Sequence, residues 1–261
     1  MMWKGVLSEA ELDGITARLP DVGLFQRQTS DLSPDIISVN MILAEGHPDS
    51  PLPEAAPCFI NLGNALWASG YALYQCLAHG IYARGQPSPH PEIEARFFER
   101  HYADDVALRL YSGGEYLAGA IVHMLDITRR DLKQFRGRGR SQLDRVAGFL
   151  AEHKQGHPVT AAVSILTTIA DWQDAVRYRN MWVHDQPPLI EGLGVQFRRG
   201  KRWKTSPDGS RILPLTGGDP PHYTIEELKR FVESGLRHLL DCSTACLACY
   251  LCALKKRGAA Q

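Results

Sequence analysis

Between Cys58 and Arg84 the chain carries Phe59, Leu62, Leu66, Tyr71, Leu73 and Leu77 with no internal proline. Apolar residues recurring in this way lie along one side of a helix, so the stretch commits the chain to long helices. A second helical region runs from Pro91 to Thr128, with the Gly113-Gly114 pair as a candidate break. Ser141 to Gln155 reads as a shorter amphipathic helix with Leu143, Val146, Phe149 and Leu150 on one side. Pro158 suits the first turn of the next helix, which is expected to continue to about Asp185 before the Pro187-Pro188 pair stops it. Thr224 and Glu227 have capping-box spacing at the start of a last helix that reaches about Lys255. Trp and Val residues flank a Pro-Asp-Gly-Ser turn between Gly194 and Leu215, which predicts a small β-hairpin before that helix. The expected fold is mainly α, a bundle of four to five long helices with this hairpin inserted.

Residues 1–56 differ from the rest. Ser8 and Glu11 form a plausible capping box for a short helix ending near Leu19-Pro20, Asp35 to Ala44 reads as a strand, and Pro48, Pro51, Pro53 and Pro57 mark a turn-rich connector. This segment is expected to be an N-terminal appendage with little structure of its own, leaving residues 57–261 as the helical domain. No apolar run reaches the roughly 18 residues of a bilayer span, and Met1 to Glu11 lacks the apolar core of a signal peptide, so the expected compartment is the cytoplasm, with no membrane partner.

Charge balances at 29 basic and 29 acidic residues, so the chain is not a general polyanion binder. The basic residues cluster, however. Arg129 to Arg140 holds six against one Asp, and Arg198 to Lys204 holds five with Trp203 and no acid. Such patches are either solvated loops or local phosphate holders. Cys242, Cys246, Cys249 and Cys252 fall along one side of a helix, and four thiolates on one straight helix cannot enclose a zinc ion. They read as small apolar residues in a reducing compartment, with a cysteine-ligated metal as a weaker alternative. The sequence holds no metal-protease, P-loop, dinucleotide or nucleophile-elbow motif, so no metal and no cofactor is assigned.

The chemistry gathers near the end of the Pro158 helix. On a wheel with Val176 at the origin, Ala162, Ile165, Ile169, Trp172 and Val183 form an apolar stripe within about 40°. Asn180 and Arg179 fall at its borders, at about 40° and 60°, while His184 and Arg177 lie on one flank, at about 80° and 100°. An arginine and an asparagine on an apolar face need partners. Arg179 and His184 are five residues apart, about 140° around a regular helix, whereas Arg177, Asn180 and His184 share a face. Tyr178 and Trp182 are expected on the outer side, as a base-stacking pair or a dimer contact.

Arg179-Asn180-Met181-Trp182-Val183-His184 resembles the R-N-x-x-x-H form of the motif that marks the HEPN superfamily, late in a long helix of a helical domain. Gln186 stands where several branches of that family have tyrosine, which argues against the toxin branch whose partner modifies that residue. The resemblance implies a homodimer with two motifs facing one another across a cleft. It implies metal-independent cleavage of RNA by attack of a ribose 2′-OH on the adjacent phosphate. His184 would be the acid or base, Arg179 would stabilise the phosphorane, and Asn180 would orient substrate or imidazole. Arg177 is the second candidate arginine, and Tyr178, Trp182, Arg198, Arg199, Lys201 and Arg202 are candidate substrate contacts. A toxin or defence role, with an antitoxin or regulatory partner, fits this pattern. The alternative is a catalytically silent module of the same type that binds RNA, a nucleotide or a protein.

Overall fold

A computed structural model describes residues 3–32, 50–135, 141–184, 188–193, 198–199, 204–205, 207–212, 215–216 and 220–258. The fold is mainly α. The described helices are α1 (Glu9–Arg18), α2 (Val22–Ser30), α3 (Ala55–Arg84), α4 (Pro91–Met124), α5 (Gln142–His153), α6 (Pro158–Thr168), α7 (Ala170–His184) and α8 (Ile225–Gly258). Short 3-10 turns occupy Leu52–Glu54 and Asp131–Phe135. Among the described residues no helix is long and apolar enough to cross a membrane.

α3 and α4 form a long antiparallel hairpin, and α8 packs along both. Close approach is what the glycines of α4 provide. A Cβ on Gly113 would meet Leu239 of α8 at 2.9 Å, and one on Gly114 would meet the Trp172 ring at 2.8 Å. The Gly113-Gly114 pair therefore does not break α4. Neighbouring side chains fill the space and the helix runs through. Behind this seam Glu99, only 1% exposed, accepts hydrogen bonds from Arg84 Nη2 and Lys229 Nζ at 2.8 and 2.9 Å, tying α3, α4 and α8 at one end. A buried carboxylate is tolerable only with such partners.

Three helix starts follow from local sequence. Ser8 and Glu11, Ser141 and Asp144, and Thr224 and Glu227 each exchange side-chain and backbone hydrogen bonds as capping boxes. α5 buries Leu143, Val146, Phe149 and Leu150 as its spacing predicts.

Three expectations need correction or redrawing. The Pro158 helix is two helices. Ile169 is extended (ψ 128°) and ends α6, and its carbonyl then accepts from Gln173 N in the first turn of α7. Thr167 and Thr168 return their hydroxyls to the carbonyls of Val163 and Ser164, and three β-branched residues in a row weaken the helix there. The single wheel from Ala162 to Val183 does not survive this break, and Ile165 and Val183, assigned to the buried stripe, are 62% and 48% exposed. Second, the first 32 residues carry more structure than a loose appendage. Trp3, Ile15, Val22 and Phe25 are buried and belong to the same apolar core as α3 and α8. Third, the expected β-hairpin is not seen as an element. Among the described residues of this region there are two-residue antiparallel pairs, Arg198–Arg199 with Leu215–Thr216 and Lys204–Thr205 with Arg211–Ile212, shorter than ordinary strands. The strand expected at Asp35 to Ala44 lies outside the described residues.

Candidate active site

α7 is seated on α4 and α8 by its buried face. Trp172, Ala175, Val176 and Tyr178 are enclosed. Tyr178 packs against Tyr223 and Phe231, and its hydroxyl donates to Asp104 Oδ1. Arg100 Nε lies 3.5 Å from Asp104 Oδ2, and its Nη2 donates to the Pro188 carbonyl at 3.0 Å. Burial pushes the Asp104 carboxyl above its ordinary range, with Tyr178, Arg100 and Trp182 drawing it back. Burial, and then the charge of Asp104, pushes the Tyr178 phenol upward. The chain beyond α7 is clamped as well. Leu189 N donates to His222 Nδ1 at 2.9 Å, and Glu191 N donates to the Tyr223 carbonyl at 3.0 Å. Anchors thus stand on either side of the last turn of α7, at Tyr178 and from Pro188 to Glu191.

On that last turn the structure gathers Arg179, Asn180 and His184. Arg179 Nη1 donates to Asn180 Oδ1 at 3.1 Å and lies 3.4 Å from His184 Nε2. A guanidinium has no acceptor atom, so Nε2 receives this contact and a neutral ring carries its proton on Nδ1. The guanidinium carbon also sits 3.8 Å from the centre of the Tyr111 ring of α4, a cation–π contact. Burial first, and then the Glu115 carboxylate, push the Tyr111 phenol upward, while Arg179 and Arg145 oppose the shift. Arg179 and Asn180 are half-buried and His184 is exposed, so the cluster opens to solvent. It combines a fixed cation, an amide and an imidazole lone pair, which can bind an anion and accept a proton beside it.

The other candidates divide. Arg177 is exposed on another side of α7, paired with Asp174 at 2.8 Å, and does not join the cluster. Tyr178 is 1% exposed, so its ring cannot stack on a base; the expected outer position is corrected by the hydroxyl's bond to Asp104, which draws it inward. Trp182, 37% exposed, remains accessible. For Arg198 and Arg199 only the backbone pairing is described, and Lys201 and Arg202 lie outside the described residues. Sequence reasoning missed Arg100, Asp104, Tyr111 and Glu115. Their spacing of four, seven and four puts them in one line along α4, a polar row at helical spacing that was there to be found.

Two further features bear on the chemistry. Cys242 and Cys246 are buried along an unbroken α8, and Cys252 at the other end of the row is exposed. No group of three or more His, Cys, Asp or Glu side chains placed to hold a metal occurs among the described residues. A cavity of about 290 Å³ lies against α8, and none of its lining residues belongs to the Arg179 cluster. Of its four cations, Arg18, Lys229 and Arg230 face Glu233, Glu226 and Asp171, and Arg237 Nη2 donates to the Arg18 carbonyl at 2.9 Å. Comparison of the chain with models of known protein families, with curated proteins and with solved structures finds no match.

Proposed function

We propose that this chain is a metal-independent endoribonuclease of HEPN type. The observation that carries the reading is the contact of one guanidinium nitrogen, Arg179 Nη1, with both Asn180 Oδ1 and His184 Nε2 at the open end of α7. A phosphodiester entering there meets the charge of Arg179, which is strongest where negative charge builds up in the pentacoordinate phosphorane. His184 Nε2 takes the proton of the ribose 2′-OH. The 2′-oxygen bonds to phosphorus, the bond to the 5′-oxygen breaks, and a 2′,3′-cyclic phosphate remains. The 5′-oxygen needs a proton from the opposite side, which His184 of the partner subunit supplies in a homodimer. The exposed apolar side chains of Trp182 and Val183 beside the cluster support such a pairing. Asn180 holds the guanidinium in register with the imidazole. The basic residues of the segment from Arg198 to Lys204 supply further charge for holding the RNA backbone.

The test is cleavage of RNA in EDTA by the wild-type protein and by His184→Ala. The wild type is expected to leave cyclic phosphate ends without added metal, and the variant to lose at least about a hundredfold in rate. RNA binding without cleavage by the wild type would leave a silent binding module in its place. Cleavage undiminished in His184→Ala would remove the imidazole from the reaction.

A further inference from the structure

Arg145, on α5, is the half-buried cation that the cluster does not explain. Its Nε is enclosed and makes no hydrogen bond, and among the described residues no carboxylate pairs with it. A guanidinium left in that state costs stability unless something else satisfies it. Its position follows from contacts around it. Gln142 N, one turn earlier on α5, donates to Glu115 Oε1 at 2.8 Å, which fixes the start of α5 against α4. Glu115 is one turn beyond Tyr111, and Tyr111 lies under the Arg179 guanidinium. Residues three apart on a helix lie side by side, so Arg145 stands beside Gln142 at the same junction. Its charge acts on the Tyr111 phenol together with that of Arg179. Glu115 accepts from Gln142 N, and it forms no salt bridge with Arg145.

We propose that Arg145 is a second phosphate-binding residue, at the junction of α5 with the Glu115 end of the Tyr111–Glu115 row, holding the phosphodiester next to the one that is cut. The inference rests on the ribonuclease reading and gives it a direction. The strand runs from the end of α7, past Tyr111 under the Arg179 guanidinium, toward the start of α5. Arginine suits this task because its planar fork matches a phosphate's paired oxygens. Arg145 touches no reacting atom and therefore acts on binding, not on the chemical step.

The test uses the full chain and a pool of short single-stranded RNAs carrying 2′-O-methyl groups, which the enzyme can bind but not cut. Affinity is measured against salt concentration for wild type, Arg145→Met and Arg145→Lys. Loss of one phosphate contact lowers the slope of log affinity against log salt by about 0.7, and the affinity falls roughly tenfold. Arg145→Lys keeps the charge and is expected to keep the slope. Arg145→Met also removes a half-buried cation whose Nε is enclosed without a partner, so it is expected to unfold at a temperature equal to or above that of wild type. This combination of firmer fold and weaker binding is not produced by a structural arginine. On cleavable RNA, KM should rise while kcat stays within about twofold. An unchanged salt slope and affinity in Arg145→Met, with the wild type binding normally, would overturn the assignment and leave the ribonuclease reading standing. No binding of RNA by any of the three proteins would overturn both.

Discussion

Cys76 is fully enclosed in the seam between α3 and α4, where its thiol donates to the Glu99 carbonyl at 3.2 Å. Burial, and then the Glu99 charge, push this thiol from an ordinary 9.0 to about 12. Burial likewise pushes the Tyr250 phenol from an ordinary 10.0 to about 12. The sign follows directly. Both groups hold their protons more tightly in the fold than in the unfolded chain, so their contribution is complete below about pH 9 and is lost as pH rises toward about 12. By about pH 11 the Cys76 share of this loss is on the order of 2–3 kcal/mol. Urea unfolding between neutral pH and about pH 11 should show a falling midpoint in the wild type. Cys76→Ala should start lower, for the thiol it lacks, but fall less. Parallel curves would mean that Cys76 does not titrate with unfolding. Side-chain reach decides why Arg179, and not Arg177, meets His184. The wheel gives directions of Cα–Cβ bonds, and by that measure Arg177 shares a face with His184 and Arg179 does not. The arginine side chain is long enough to reach across the last turn, and Tyr111 beneath it decides where it goes. Tyr111 belongs to a row that helical spacing on α4 could show, but its meeting with Arg179 joins two helices, and no local pattern announces that pairing.

At the scale of elements, two glycine-to-alanine changes should have opposite signs. Gly14 sits exposed in the middle of α1 with nothing within 4 Å of an added Cβ, so Gly14→Ala should stabilise by about 0.5–1 kcal/mol through helix propensity alone. Gly114→Ala gains a similar propensity term, but its Cβ would come within 2.8 Å of Trp172, which is itself 1% exposed and cannot step aside. Overpacking of this kind costs about 1–3 kcal/mol, so the net effect should be destabilising. Denaturant midpoints of the two variants measured side by side check the claim, and a stabilised Gly114→Ala would show that α7 can shift away from α4. Helix positions were readable because apolar spacing and capping residues are local properties, as at Ser141 and Thr224. The junction at Ile169 was not. Thr167, Thr168 and Ile169 fit the apolar and polar periodicity of a continuous helix, and the break depends on threonine hydroxyls competing for main-chain carbonyls and on Trp172 finding its slot at Gly114. That junction sets the direction of α7, and with it the end at which Arg179 and His184 meet.

At the scale of the whole molecule, the question is whether the bundle can stand without its first helices. Composition set residues 1–56 apart, since prolines and polar turns dominate the end of that stretch. Packing argues for one core. Val22 and Thr29 of α2 sit where Gly70 and Gly63 leave α3 without side chains, and the Trp3 indole donates to the buried Gln75 at 3.0 Å. Large side chains on the first helices, Ile15 and Phe25, are each 2% exposed. Burial of a side chain of this size contributes about 1.5–3 kcal/mol, so Trp3, Ile15, Val22 and Phe25 together supply roughly 6–12 kcal/mol. That is comparable to the entire net stability of an ordinary domain, about 5–15 kcal/mol. Deleting residues 1–32 should therefore remove the cooperative thermal transition and leave a protein that binds the dye ANS, because the same deletion bares the apolar faces of α3 and α8. An appendage would behave otherwise: the shortened chain would melt sharply, near the wild-type temperature, with no dye binding. The Arg179 cluster lies on α7 and α4, which make none of these N-terminal contacts directly. Any loss of RNA cleavage in the shortened chain should accordingly track its loss of cooperative unfolding, and cleavage that disappears while the transition persists would place the first helices in the substrate path.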